Sequence, residues 1–267
     1  MATGDNKTKP GVAKIQGLIH RPKDAVIAYG NLNSLFATYI EHAKELDILP
    51  DDEAKLMMRH GMAAACLHLA LHPPDEFTAW TLNIKNPPLN FFICGDNSQF
   101  NLTGRVYTRD VKITKSSRLF MESQRPNRKP TRSTLDVDGL NVLKIFEQFY
   151  ERSEQIPSRL FELSIDEFVL IQGLPRVDLD WLQSLDNQEV RNLLDQKLES
   201  IEERSYTFCC GCDFNKILSV VHGIFKSRVD ELFQGSEAVE TTCPRCGKHY
   251  WIMREDFVRG PEKVGIT

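Results

Sequence analysis

No stretch of the 267 residues approaches the roughly 18 consecutive apolar positions that a membrane-crossing helix needs, so no membrane partner is expected. The sequence also lacks a glycine-rich phosphate loop and a Gly-x-Ser-x-Gly elbow, which removes the nucleotide-hydrolysing and serine-hydrolase readings. Basic residues are not in surplus. The 33 Lys and Arg stand against 37 Asp and Glu, for a formal net charge of −4, and the pI is near 6.0. Dedicated nucleic-acid binders carry the opposite balance. The opening residues contain no apolar core of a secretory signal, and with Asp5 and no arginine they make a poor organellar presequence; the expected address is cytoplasmic. No internal repeat or low-complexity segment stands out.

What is present is an ordinary globular composition, 41% hydrophobic and 26% charged, in a chain long enough for one medium domain and a small one. Seven cysteines occur, at 66, 94, 209, 210, 212, 243 and 246, and five of them fall near the C-terminus. An odd total in a reducing compartment favours metal or redox chemistry over a disulfide framework.

Local patterns divide the chain. Residues 1–20 are polar, rich in Lys and Gly, and read as a flexible tail. Leu35, Ile40, Ala43 and Leu46 give helical spacing over 32–46. A second helix, with its body at 54–71, starts after Asp51 or Asp52, either of which can cap it. It is apolar enough to lie in a core, and His72-Pro73-Pro74 stops it. Alternation at Trp80, Leu82 and Ile84 predicts a strand over 77–84. Asn86-Pro87-Pro88 then breaks the chain. Further strands are expected at 89–94, 100–108, 118–123, 131–137 and 167–172, with Gly95-Asp96-Asn97 as a turn. Residues 140–152 return to helix, with Leu143, Phe146, Phe149 and Tyr150 as a core-facing stripe. Residues 178–204 hold eight acids against three bases and a narrow stripe of Val190, Leu193, Leu194, Leu198 and Ile201. Asp186 and Glu189 form a capping-box start, so this segment reads as an amphipathic linker helix that is marginal unless docked.

The C-terminal pattern is Phe208-Cys209-Cys210-Gly211-Cys212, thirty residues, then Cys243-Pro244-Arg245-Cys246-Gly247. A Cys-x-x-Cys turn converges two sulfurs on one metal, and the glycine after it relieves a tight backbone. Zinc takes four soft ligands in a tetrahedron, so two such pairs predict one bound Zn²⁺. Four thiolates leave no open coordination position, which argues against catalysis; the chain is expected not to be an enzyme. Cys-x-Cys is rarer than Cys-x-x-Cys in purely structural ribbons. Thiolates gathered on a metal are also the oxidisable form of cysteine.

Three features together resemble the heat shock protein 33 family of redox-regulated holdase chaperones. The first is Phe208, Cys210 and Cys212 followed by Cys243, Cys246, Gly247 and Tyr250. The second is the run Phe149-Tyr150-Glu151-Arg152-Ser153-Glu154-Gln155-Ile156-Pro157-Ser158, with its Ser-Glu-Gln-Ile-Pro box. The third is the order of strand-rich domain, box, linker helix and cysteine module. The resemblance covers roughly residues 30–258. It implies an α+β fold: an N-terminal chaperone core at 21–175, an acidic helical linker at 176–205, a zinc-binding redox-switch domain at 206–258 and a short tail at 259–267.

The resemblance also implies a mechanism. Cys210, Cys212, Cys243 and Cys246 hold zinc in a weakly active reduced form. Oxidants convert them to disulfides, Cys243 with Cys246 and Cys210 with Cys212, and release the metal. The module and linker then unfold, and the protein dimerises and holds unfolding client proteins without ATP. Three departures are visible. Cys209 is an additional thiol at Cys-x-x-Cys spacing from Cys212, although the alignment of Phe208 favours Cys210. Asp213-Phe214-Asn215-Lys216 replaces a basic run, and Asn86-Pro87-Pro88 replaces a Gly-Asp-Gly-like turn. Competing readings are a constitutive chaperone whose zinc is purely structural and a zinc-ribbon protein that binds nucleic acid or the ribosome.

Other features carry less. Residues 112–132 have a net charge of +6, which reads as a solvated face or a dock for the acidic linker before it reads as a phosphate-binding strip. His68 and His72 have the spacing of a metal pair, but the helix body at 54–71 offers no acidic partner. His249 lies three residues past Cys246 as a conceivable substitute ligand. Cys66 and Cys94 sit in apolar surroundings and read as small buried hydrophobes.

Overall fold

The computed structural model describes residues 11–261 apart from 110 and 112. The chain forms two compact units, Met1–Cys209 and Cys210–Thr267. The large unit is built on one ten-stranded sheet. In chain order its strands are β1 (Val12–His20), β2 (Ala25–Asn31), β3 (Phe77–Ile84), β4 (Leu89–Asp96), β5 (Asn101–Tyr107), β6 (Arg118–Gln124), β7 (Thr131–Asp136), β8 (Ser158–Glu162), β9 (Glu167–Gly173) and β10 (Glu199–Phe208). Their spatial order is β7-β6-β3-β4-β5-β10-β1-β2-β9-β8. The helices are α1 (Asn33–Glu45), α2 (Asp52–Leu71), α3 (Val142–Phe149), α4 (Leu179–Ser184) and α5 (Asn187–Leu194).

The α+β class follows from how this sheet is covered. Along β2 and β9 successive side chains go to opposite faces. Ala28, Phe168 and Leu170 join the core formed with α1, α2 and α3. Ala25, Ile27, Val169 and Ile171 meet Leu182, Leu185, Val190 and Leu193 around α4 and α5. α2 begins where Asp51 accepts a hydrogen bond from the Ala54 amide at 2.9 Å, an N-cap that supplies one orphan donor with its partner. Thirteen of its twenty residues are buried. Gly61 is needed there because a Cβ would stand 2.7 Å from Ile93 Cδ1.

Several expectations require correction. Residues 1–10 of the expected tail lie outside the described residues, but 12–20 are strand β1, with Ala13 and Ile15 fully buried. Lys14 and Gln16 alternate with them, and that period of two was hidden by the polar composition. The segment 176–205 is only partly helical. After α4 and α5 it becomes β10, which pairs with β1 from Val12↔Thr207 to Ile19↔Glu199. The core unit therefore extends well past 175, and residues 206–208 belong to its sheet rather than to a separate domain. The acids of β10 favour this placement because bases flank them. Glu199 pairs with Arg21 at 2.6 Å and Glu203 with Lys14 at 3.0 Å. The acidic segment thus meets the bases at Lys14 and Arg21 rather than the strip at 112–132. That strip finds acids nearer by, in Arg118–Asp136, Arg125–Asp75 and Arg132–Glu122.

The expected turn at Gly95-Asp96-Asn97 also shifts, because Gly95 and Asp96 still pair with β3. Helix α3 stops at Phe149 and continues as a π-helical turn, Tyr150–Glu154. Among the described residues no helix is long and apolar enough to cross a membrane.

Candidate metal centre

The small unit contains α6 (Phe214–Phe225), α7 (Val229–Phe233), a hairpin of β11 (Ala238–Thr242) and β12 (His249–Met253), and α8 (Arg254–Arg259). The final expected tail at 259–267 is thus entered by α8 at Arg259, and 262–267 lie outside the described residues. Two tight segments present the cysteines. In the first, Gly211 takes φ +62°, a left-handed conformation favourable for glycine. Asp213 then caps α6 by accepting from the Lys216 amide at 2.8 Å, and the Lys216 ammonium donates to the Gly211 carbonyl at 2.6 Å. The second is the connection of the β11–β12 hairpin. There the Cys243 amide donates to Lys248 O and the Gly247 amide to Cys243 O, both at 2.8 Å. Gly247 lies at φ +82°, so a side chain at that position would strain the turn.

These segments bring the sulfurs of Cys210, Cys212, Cys243 and Cys246 within 4.8 Å of one another. Cys210 Sγ lies 3.7 Å from Cys243 Sγ, and Cys212 Sγ lies 3.5 Å from Cys246 Sγ. A tetrahedral cation with sulfurs at about 2.3 Å sets those sulfurs roughly 3.8 Å apart, so the four side chains can hold a metal ion. Cys243 and Cys246 are buried, and Cys210 and Cys212 half-buried. Crowding makes the thiols unequal. The hydrogen bond with Cys210 pulls Cys243 well below the ordinary thiol range, while Cys210 is driven up by the same contact. Four sulfurs gathered this closely are a set of donors suited to a cation.

Cys209 is exposed and stands outside the four-sulfur group. Its amide is fixed to Leu102 O at the end of β10. His249 is also elsewhere: its Nδ1 lies 2.6 Å from Glu240 Oε1 on the neighbouring strand. Cys66 and Cys94 are buried in the large unit, and burial pushes the Cys66 thiol up. One supporting contact was not anticipated. The Tyr250 hydroxyl donates to Cys212 Sγ at 3.1 Å, a partner of the kind that orients a ligand. The spacing of Tyr250 four residues after Cys246 contains no signal for it, because the contact crosses to the other cysteine pair.

Comparison with known proteins places these features. Residues 36–253 match the model of a family described as Hsp33 protein. A protein named 33 kDa chaperonin from Nitrosococcus oceani is 22% identical over 164 residues, covering 53% of this chain and 57% of that protein. A 33 kDa chaperonin from Aliivibrio salmonicida is 26% identical over 141 residues, covering 43% and 48%. The chain thus spans about half the length of the curated relatives it matches. The crystal structure of the 33 kDa chaperonin (heat shock protein 33 homolog) from Thermotoga maritima superposes with a TM-score of 0.67 at 13% identity, over 94% of this chain and 97% of that one. At that identity the likeness speaks for the fold.

Proposed function

The chain belongs to the Hsp33 family, and from that premise we propose that it is a redox-regulated, ATP-independent holdase that binds unfolding proteins and prevents their aggregation. The observation that carries the reading is the four-sulfur cluster in a unit with little else to hold it. Its core consists of Ile217, Leu218, Phe233, Cys243, Cys246, Tyr250, Ile252 and Phe257, so cysteines form part of the core itself. The proposed resident metal is one Zn²⁺ on Cys210, Cys212, Cys243 and Cys246. When bound, zinc keeps four sulfurs as thiolates and ties the start of the unit to its hairpin.

The chain's own residues then set the response. Oxidation pairs Cys243 with Cys246 and Cys210 with Cys212. In each pair two thiolates surrender two electrons, and one peroxide accepts them with two protons and leaves as two waters. Disulfide sulfurs are poor cation ligands, so the cross-link between the two segments is lost. A unit of this size buries too little apolar surface to stay folded without it. Val220, Ile224, Trp251 and Val258 are exposed on the small unit already, and unfolding adds the buried set to them. Clients are unfolded or partly folded proteins, the oxidised form is a homodimer, and the setting is the cytoplasm. The role is binding rather than catalysis, with no part for nucleic acid or a membrane.

A second reading is a constitutive chaperone with purely structural zinc. It is favoured by β10: the segment before the cysteines is a paired strand inside the sheet, not a loose linker. Zinc release and suppression of a model client's aggregation, followed together before and after peroxide under mildly unfolding conditions, separate the two. Holding activity that rises in step with zinc release supports the switch. Zinc that stays, or leaves with no gain in holding, leaves the cluster a structural staple and ends the redox claim.

A further inference from the structure

α2 ends beside a second group of metal-ligating side chains, in the large unit and unrelated to the cysteines. His68 and His72 stand one turn apart with their rings stacked at 3.6 Å. The acid missing from the helix lies just past its end. Pro73-Pro74 turns the chain, the Glu76 amide donates to Pro73 O at 3.2 Å, and Glu76 Oε1 comes to 3.4 Å from His72 Nδ1. One ligand atom from each of His68, His72 and Glu76 lies within 4.8 Å of the others.

Two further observations point to a ligand. His68 is fully buried, and its Nε2 has no hydrogen-bond partner among the described residues. Its Nδ1 lies 3.2 Å from the Tyr150 hydroxyl. With the Nδ1 proton donated to Tyr150, Nε2 presents a bare lone pair, the arrangement by which a second partner fixes a ligating imidazole. Glu76 is buried as well. Its carboxyl is disfavoured as an anion by that burial, yet contacts with His72, Ser123 and Thr78 hold it below the usual carboxylate range. A cavity of about 250 Å³ lined by His72, Glu76, Ser123 and Glu154 leads to the group. Arg125, Arg128 and Lys129 also line it, and Arg125 is paired with Asp75.

We propose that His68, His72 and Glu76 form a second metal site, for a first-row divalent cation of the zinc type. Two imidazoles and one carboxylate suit zinc, iron, nickel or copper better than calcium or magnesium, and they leave at least one position open to water or to Glu154 from the cavity. A cation there would tie the C-terminus of α2 to the segment leading into β3.

The reduced full-length chain is titrated with Zn²⁺, and in parallel with Co²⁺ as a spectroscopic probe. Two equivalents of Zn²⁺ are expected to bind. The Co²⁺ assigned to this site should lack the thiolate-to-metal charge-transfer absorption given by the cysteine-bound ion. His72→Ala and Glu76→Gln should each abolish the histidine-site equivalent and leave the thiolate-bound one intact. Glu76→Gln preserves shape and decides the matter if His72→Ala fails to fold by circular dichroism. A single equivalent in the unsubstituted chain, or a second one that survives Glu76→Gln, overturns the site.

Discussion

α2 and α6 start the same way, each with an aspartate accepting from an amide three residues on, yet they rest on different supports. α2 buries thirteen of its residues against the sheet and its neighbours. α6, twelve residues long, buries only Ile217 and Leu218. The large unit is held by apolar burial spread over many side chains, so no single contact decides whether it folds. The small unit has a core of eight buried residues, two of them cysteines, and on the zinc site proposed above its support concentrates at four sulfurs. What differs is therefore how each unit fails: the first by increments, the second at one place.

The largest test of that contrast is chelation of the reduced protein. A structural zinc site contributes on the order of 10 kcal/mol to folding, so amides of α6, β11 and β12 should lose hydrogen-exchange protection while those of α2, β3 and β4 keep theirs. Loss of protection in both units together would remove the distinction. A smaller effect is expected from Phe91→Ala, which opens a cavity under Gly61 in the large unit. It should cost about 3–5 kcal/mol of that unit's stability in denaturant unfolding and leave zinc stoichiometry at the cysteines unchanged. The smallest is a matched pair of cap substitutions. Asp51→Ala and Asp213→Ala each remove one N-cap hydrogen bond, worth about 1 kcal/mol. The first should be tolerated, whereas the second should appear as a faster zinc loss to a competing chelator. Equal behaviour of the two would mean that the small unit is less dependent on its cluster than its core suggests.

Much of this was legible in the sequence, for stated reasons. β3 was readable to the residue because Trp80, Leu82 and Ile84 alternate without interruption, and α2 to within a residue because Asp51 or Asp52 marks its start and His72-Pro73-Pro74 its stop. The cysteine cluster was readable because Cys-x-Cys and Cys-x-x-Cys are short-range patterns whose chemistry lies in the spacing itself. β1 and β10 were not, because each alternates its buried positions with charged ones, and the two pair with each other across nearly the whole length of the chain. Arg204 shows the difficulty. It is buried, and its guanidinium donates to the Leu69 and His72 carbonyls at the end of α2. That partner is about 130 residues distant, and without it a buried arginine would be untenable. The His68–His72–Glu76 group was half legible for a similar reason: helical spacing gave the two imidazoles, but only the turn at the prolines gave the carboxylate.

β10 has one more consequence, for the order in which the protein comes into being. It lies between β5 and β1, joined to β5 by only two register pairs, Thr207↔Asn101 and Phe208↔Leu102. On a ribosome every other strand of the sheet is made first, so a growing chain that stops short of Glu199 has two unpaired edges at the middle of its sheet. Open edges of that kind pair readily with other chains. The nascent protein is thus exposed to aggregation until the last strand arrives, and the residues that follow it directly are Cys209 and Cys210.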